Sequence, residues 1–166
     1  MVGDLFDRNS VSEITVARLF KILSDEKEVI LMRGNHDENS ERYGEICSLQ
    51  LLGAILPNSY TIFKNPETIG NYHFIPHCFN QDEFDKWVQA CPSNKTVFIH
   101  ANYNNKFAVE ADHSLNLSIE AIAGLEEKGC KVILGHEHAA RQKGIVTILG
   151  CFYPTSISDC LSGHKR

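Results

Sequence analysis

The sequence predicts an α/β fold. Short apolar runs at 29–32, 96–99 and 130–134 have the length of buried strands. Before and between them lie stretches with apolar residues at helical spacing, such as Ile14, Ala17, Phe20 and Leu23 ahead of the first run. Each run also ends in residues able to hold a metal or move a proton: Asn35, His36 and Asp37, then His100, then His136 and His138. Rigid scaffolds often present reactive groups on loops at strand ends.

Taken in order, Val2 reads as the tail of a strand delivering Asp4, with Asp7 and Arg8 just beyond. Ser10-Val11-Ser12-Glu13 has the capping-box pattern, and the helix after it ends near Ser24-Asp25. Its core-facing stripe is Ile14, Ala17, Phe20 and Leu23, widened by Val16 and Leu19. A strand, a helix and a strand in succession imply parallel pairing. Gly34 then allows a sharp turn.

Residues 41–52 read as a second helix ending at Gly53. Residues 60–63 and 72–75 read as strands separated by a turn rich in Asn, Pro and Gly. His73 is expected to face solvent or a neighbouring strand, and His77 is the better placed of the two for a site. Residues 81–90 form an amphipathic helix through Phe84, Trp87 and Val88. The strand 96–99 ends in His100, followed by a long polar loop carrying Tyr103, Phe107 and His113 that could rim a site. A helix over 117–128 closes at Gly129, and the strand after it leads into Gly135-His136-Glu137-His138. On the turn after that strand both histidines can converge, leaving Glu137 exposed. Residues 145–149 are the last clear strand.

With 166 residues, the chain is expected to form one domain over 1–166. Its 43% hydrophobic and 22% charged content is ordinary for a globular protein. No run approaches the roughly 20 apolar residues that span a membrane. Asp4 and Asp7 stand where a secretory signal needs a basic, then apolar, start, so the expected location is cytoplasmic. The net charge of −5 does not favour a large non-specific nucleic-acid footprint. The six cysteines include no C-x-x-C and read as buried thiols of a reducing compartment. Asn94-Lys95-Thr96 and Asn116-Leu117-Ser118 match the glycosylation pattern by chance on this reading.

Gly3-Asp4-Leu5-Phe6-Asp7-Arg8, Gly34-Asn35-His36-Asp37, His100 and Gly135-His136-Glu137-His138, in this order, resemble the calcineurin-like metallophosphoesterase superfamily. The family pattern is D-x-H, GDxxD, GNH[DE], a lone His and GHxH. The resemblance spans 3–138 and continues more weakly to about 159; the D-x-H block is absent. Asp159 and His164 do not replace it, because their spacing is wrong.

The resemblance implies a four-layer α/β/β/α sandwich, N-terminally truncated and lacking its first strand. The expectation is therefore a fragment, an internal start or a partner of another chain, since a missing strand leaves backbone groups unpaired. It also implies metal-dependent phosphoester hydrolysis. Asp4 would bridge two metals; Asp4, Asn35, His100 and His136 would hold one, and His138 would contribute to the other. His36 would act as catalytic acid or phosphate contact, held by Asp37. Asp7 would orient a ligand, and Arg8 would pair with Asp7 or reach a substrate phosphate. Mixed His, Asn and carboxylate ligands suit manganese, iron or zinc.

The Asp-Arg of the first block resembles the nuclease branch, the double-strand-break repair exonucleases, whose partner is nucleic acid. Serine/threonine phosphatases carry it too. A non-catalytic scaffold like the retromer subunit of this fold is the alternative: the absent D-x-H favours it and the retained His36 opposes it. An α/β domain with incidental histidines is the blandest reading.

Overall fold

A computed structural model describes residues 2–37, 46–105 and 114–151. Residues 41–45 of the expected second helix, Phe107, His113, Asp159 and His164 lie outside the described residues.

Helix α1 (Glu13–Leu23) starts where Ser12 accepts the Thr15 N–H, so Ser12 is the cap. Its buried stripe is Val16 with Leu19, Phe20 and Leu23; the expected Ile14 and Ala17 lie exposed. Strand β1 (Val29–Met32) follows, and Val2 bridges Met32 in parallel, as the βαβ reading expects. Helix α2 (Ser48–Ile55) runs through Gly53 rather than ending there. Glycine is needed at that point for contact, because a Cβ would lie 2.0 Å from Thr61 Oγ1 on the neighbouring strand.

Strand β2 (Ser59–Ile62) pairs in parallel with β1. The expected turn before β4 (Tyr72–Ile75) contains a short strand, β3 (Glu67–Ile69), antiparallel to β4. Helix α3 (Gln81–Gln89) is capped by Asn80, whose side chain accepts the Glu83 N–H. Strand β5 (Thr96–Tyr103) runs on past His100, because β6 (Asn116–Leu117) gives partners to Asn102 and Tyr103. Helix α4 (Ile119–Glu127), capped by Ser118, leads to β7 (Lys131–His136), and β8 (Arg141–Lys143) and β9 (Val146–Ile148) close the described chain. The larger sheet has the order β3-β4-β5-β7-β9-β8, with β6 beside β5. Its four central strands are parallel.

Three apolar clusters follow from the period of two along the strands. Val29 and Leu31 pack against α1 and α2. Ile30 and Met32 point the other way and meet Ile62, Phe74 and Phe98, so the two sheets touch through this cluster. Val97, Ile99, Val132 and Leu134 face Phe84 and Val88 of α3 and Ile122 and Leu125 of α4. His100 shares the face of Phe98, which aims it at the smaller sheet. His73 is buried, with Nδ1 2.8 Å from Thr68 Oγ1 of the neighbouring strand, and is not solvent-facing.

Candidate metal centre

Two residues from each sheet meet at the strand ends. Asp4 and Asn35 follow Val2 and β1; His100 and His136 stand on β5 and β7. His100 Nε2 lies 3.0 Å from Asp4 Oδ2, 2.9 Å from Asn35 Oδ1 and 3.3 Å from His136 Nδ1. His136 Nδ1 is also 3.1 Å from Asn35 Oδ1. The ligand atoms of Asp4, His100 and His136 all lie within 4.8 Å of one another.

The backbone is bent to make this possible. Gly3 has φ +75, and a Cβ there would stand 2.2 Å from His100 Nδ1. A Cβ on Gly135 would stand 2.2 Å from the Val2 carbonyl oxygen. Asp4 and His136 are non-glycine residues at φ 47 and φ 83. Continued alternation along β7 would send His136 to the helix-covered side with Leu134; its left-handed backbone turns it to the site instead. Such conformations persist where the surroundings over-determine them, and they cluster at functional sites.

The tautomers indicate what the site is for. His100 Nδ1 is 2.9 Å from the Val2 carbonyl, which can only accept, so Nδ1 carries the proton. In neutral His100 the lone pair of Nε2 then faces a carboxylate oxygen and an amide oxygen. Electron pairs aimed at one another at about 3 Å are stable around a cation. The donor set therefore fits a divalent metal. Where no cation is bound, a proton on Nε2 takes its place: burial alone would lower the His100 pKa, but the hydrogen bond and charge of Asp4 outweigh it and the pKa is raised. Burial works to raise Asp4, yet the hydrogen bond and charge of His100 bring it down to about 2.

The other expected residues take different places. His138 is exposed and is not one of the three residues whose ligand atoms lie within 4.8 Å of one another; its carbonyl accepts the Cys151 N–H at 3.1 Å. His36 is exposed at the site, its N–H donating to Asp4 Oδ1 at 2.9 Å. Its ring is held by the Asp7 carbonyl, 3.1 Å from Nδ1, and not by Asp37. Asp37 is buried and accepts the N–H groups of Gly34, Asp4 and Phe6, at 2.8, 2.9 and 3.3 Å. It clamps the two loops together, and burial pushes its carboxyl up to about 6. Arg8 pairs with Asp7 at 2.9 Å on the surface, as one of its two expected roles had it.

Glu137 is not exposed as expected: it accepts the Tyr103 N–H at 2.5 Å and pairs with Arg141, tying β5, β7 and β8 at the GHxH turn. Two further groups at the site escaped sequence reasoning. The Val2 carbonyl sets the His100 tautomer, and a backbone oxygen leaves no residue-specific trace. Arg33 is buried beside the site, and the one available signal was a charge directly after a buried apolar run.

The profile of the family described as calcineurin-like phosphoesterase matches residues 1–140. No curated protein and no solved structure matches the chain. No described helix is long and apolar enough to cross a membrane. A family match over most of the length, with its ligand-type residues folded into one cluster, leads to one conclusion: the chain belongs to the calcineurin-like phosphoesterase family.

Proposed function

We propose that the protein hydrolyses a phosphoester with divalent metals held at Asp4, Asn35, His100, His136 and, for a second ion, His138. The observation that carries this is the convergence of acceptor atoms on His100 Nε2, at 2.9 and 3.0 Å from Asn35 and Asp4. When bound, such ions offset phosphate charge and make a water nucleophilic at neutral pH. Manganese, iron or zinc suits the ligand set.

The chain's own residues do the rest. His36, with Nδ1 donating to the Asp7 carbonyl, has Nε2 left to exchange a proton with a phosphate or a leaving oxygen. Asp37 keeps the Asp4 and Gly34 loops in register by accepting from both. Arg8, two-thirds exposed beside Asp7, is the cation that an incoming phosphate could recruit. The likeness of Gly3-Asp4-Leu5-Phe6-Asp7-Arg8 and the Ser-rich helix start after it to the nuclease branch supports a phosphodiester substrate, including nucleic acid. The buried thiols of Cys78, Cys91 and Cys130 suit a reducing cytoplasm.

The test compares a model phosphodiester with a model phosphomonoester, with and without Mn2+. Metal-dependent turnover of the diester is expected, and His136→Ala is expected to weaken Mn2+ binding by more than about 100-fold, beyond the loss of an outer partner. Turnover of the monoester alone would move the protein to the phosphatase side. No turnover of either, with Mn2+ bound, would favour the scaffold.

A further inference from the structure

We propose that Arg33 is a positioning residue for the metal centre: by gripping the His77 carbonyl it sets the spacing between the two sheets that each carry half of the ligands. This rests on the reading that the centre holds metal. The ligand set is divided, with Asn35 on the loop after β1 and His100 on β5, and β1 and β5 belong to different hydrogen-bonded sheets. No strand ladder therefore fixes the 2.9 Å between Asn35 Oδ1 and His100 Nε2.

Arg33 stands two residues before Asn35 and is 3% exposed. Its Nε donates to the His77 carbonyl at 2.7 Å, and Nη2 donates to the same oxygen. The His77 N–H returns to the Arg33 carbonyl at 3.0 Å. The guanidinium lies 4.9 Å from the Phe63 ring centre on one sheet's side and 5.8 Å from that of Phe79 after β4. His77 follows β4, whose Ile75 is in register with Ile99 of β5. The His77 ring stands edge-on to His100, with ring centres 6.4 Å apart.

The tie thus runs from two residues before one ligand to the ring against another. A planar fork with two donors on one oxygen fixes direction as well as distance, which an ammonium does not. Burying a guanidinium is costly unless it is hydrogen-bonded, so the grip is not readily released. His100 makes a second side-chain tie across the sheets, donating Nδ1–H to the carbonyl of Val2 beside β1 at 2.9 Å, whereas the Arg33 grip acts on the chain that leads to Asn35.

The experiment titrates Mn2+ into the whole chain and into Arg33→Lys and Arg33→Gln, and records the visible spectrum of the Co2+ forms. All measurements are made well below each variant's melting temperature. About 10–100-fold weaker Mn2+ binding is expected in both variants, the loss typical of an outer partner. The Co2+ bands should change, and Lys should not rescue. Unchanged affinity and bands in folded variants that merely melt lower would overturn the positioning role, and so would loss of the fold in both. If the unmodified chain binds no Mn2+, or His136→Ala binds it as well, the metal reading itself fails and this proposal with it.

Discussion

Gly34 shows what a single residue decides here. A Cβ at that position would stand 2.2 Å from Asp4 Oδ1 and 2.3 Å from the Asp4 nitrogen, with no flexible chain end to yield. Gly34→Ala should destabilise the fold by about 3 kcal/mol or more, the upper range for overpacking. It should also weaken Mn2+ binding, since Asp4 is the group displaced. Urea unfolding and Mn2+ titration check this, and a neutral substitution would mean the two loops are not in contact. Asn35, His100 and His136, which the structure brings together, were readable as ligand-type residues just after apolar runs. That of Asp37 was not: beside His36 in sequence it looked like a tautomer partner. Three backbone N–H groups, two of them from a segment about 30 residues away, claim its oxygens instead.

At the scale of elements, strands that pack on both faces were the most legible, because their apolar runs are unmistakable. The short strands β3, β6 and β8 were not, since pairing with a neighbour creates them rather than any pattern of their own. His73 on β4 takes the second of its two expected places, against Thr68 of the neighbouring strand β3. It is buried, with Nε2 lacking a hydrogen-bond partner among the described residues. Burial, with help from the charge of Lys95, lowers its pKa. The unfolded chain then binds a proton below about pH 6.5 that the folded chain resists. Stability should therefore be lost as pH falls below that value. Urea midpoints at pH 7 and pH 5 are expected to fall less for His73→Leu than for the unmodified chain; equal slopes would show that His73 does not report its burial.

For the whole molecule, metal and fold should be linked. A ligand that binds only the folded chain stabilises it by about 2.7 kcal/mol at 100 times its Kd. For a chain of this size that corresponds to a rise of roughly 5–10 °C in Tm. Mn2+ should raise Tm by this amount, a chelator should reverse it, and His136→Ala should abolish it. A Tm indifferent to Mn2+ would mean that the four side chains meet for structural reasons alone. The sequence by itself determined the α/β class, the family and the chemical types at the strand ends, because period, length and motif are local properties of the chain. Only the tertiary structure decided which of those residues share a cation-sized space. That depends on how two separate sheets lie against each other and on backbone turns at Gly3, Asp4 and His136 that no residue pattern encodes.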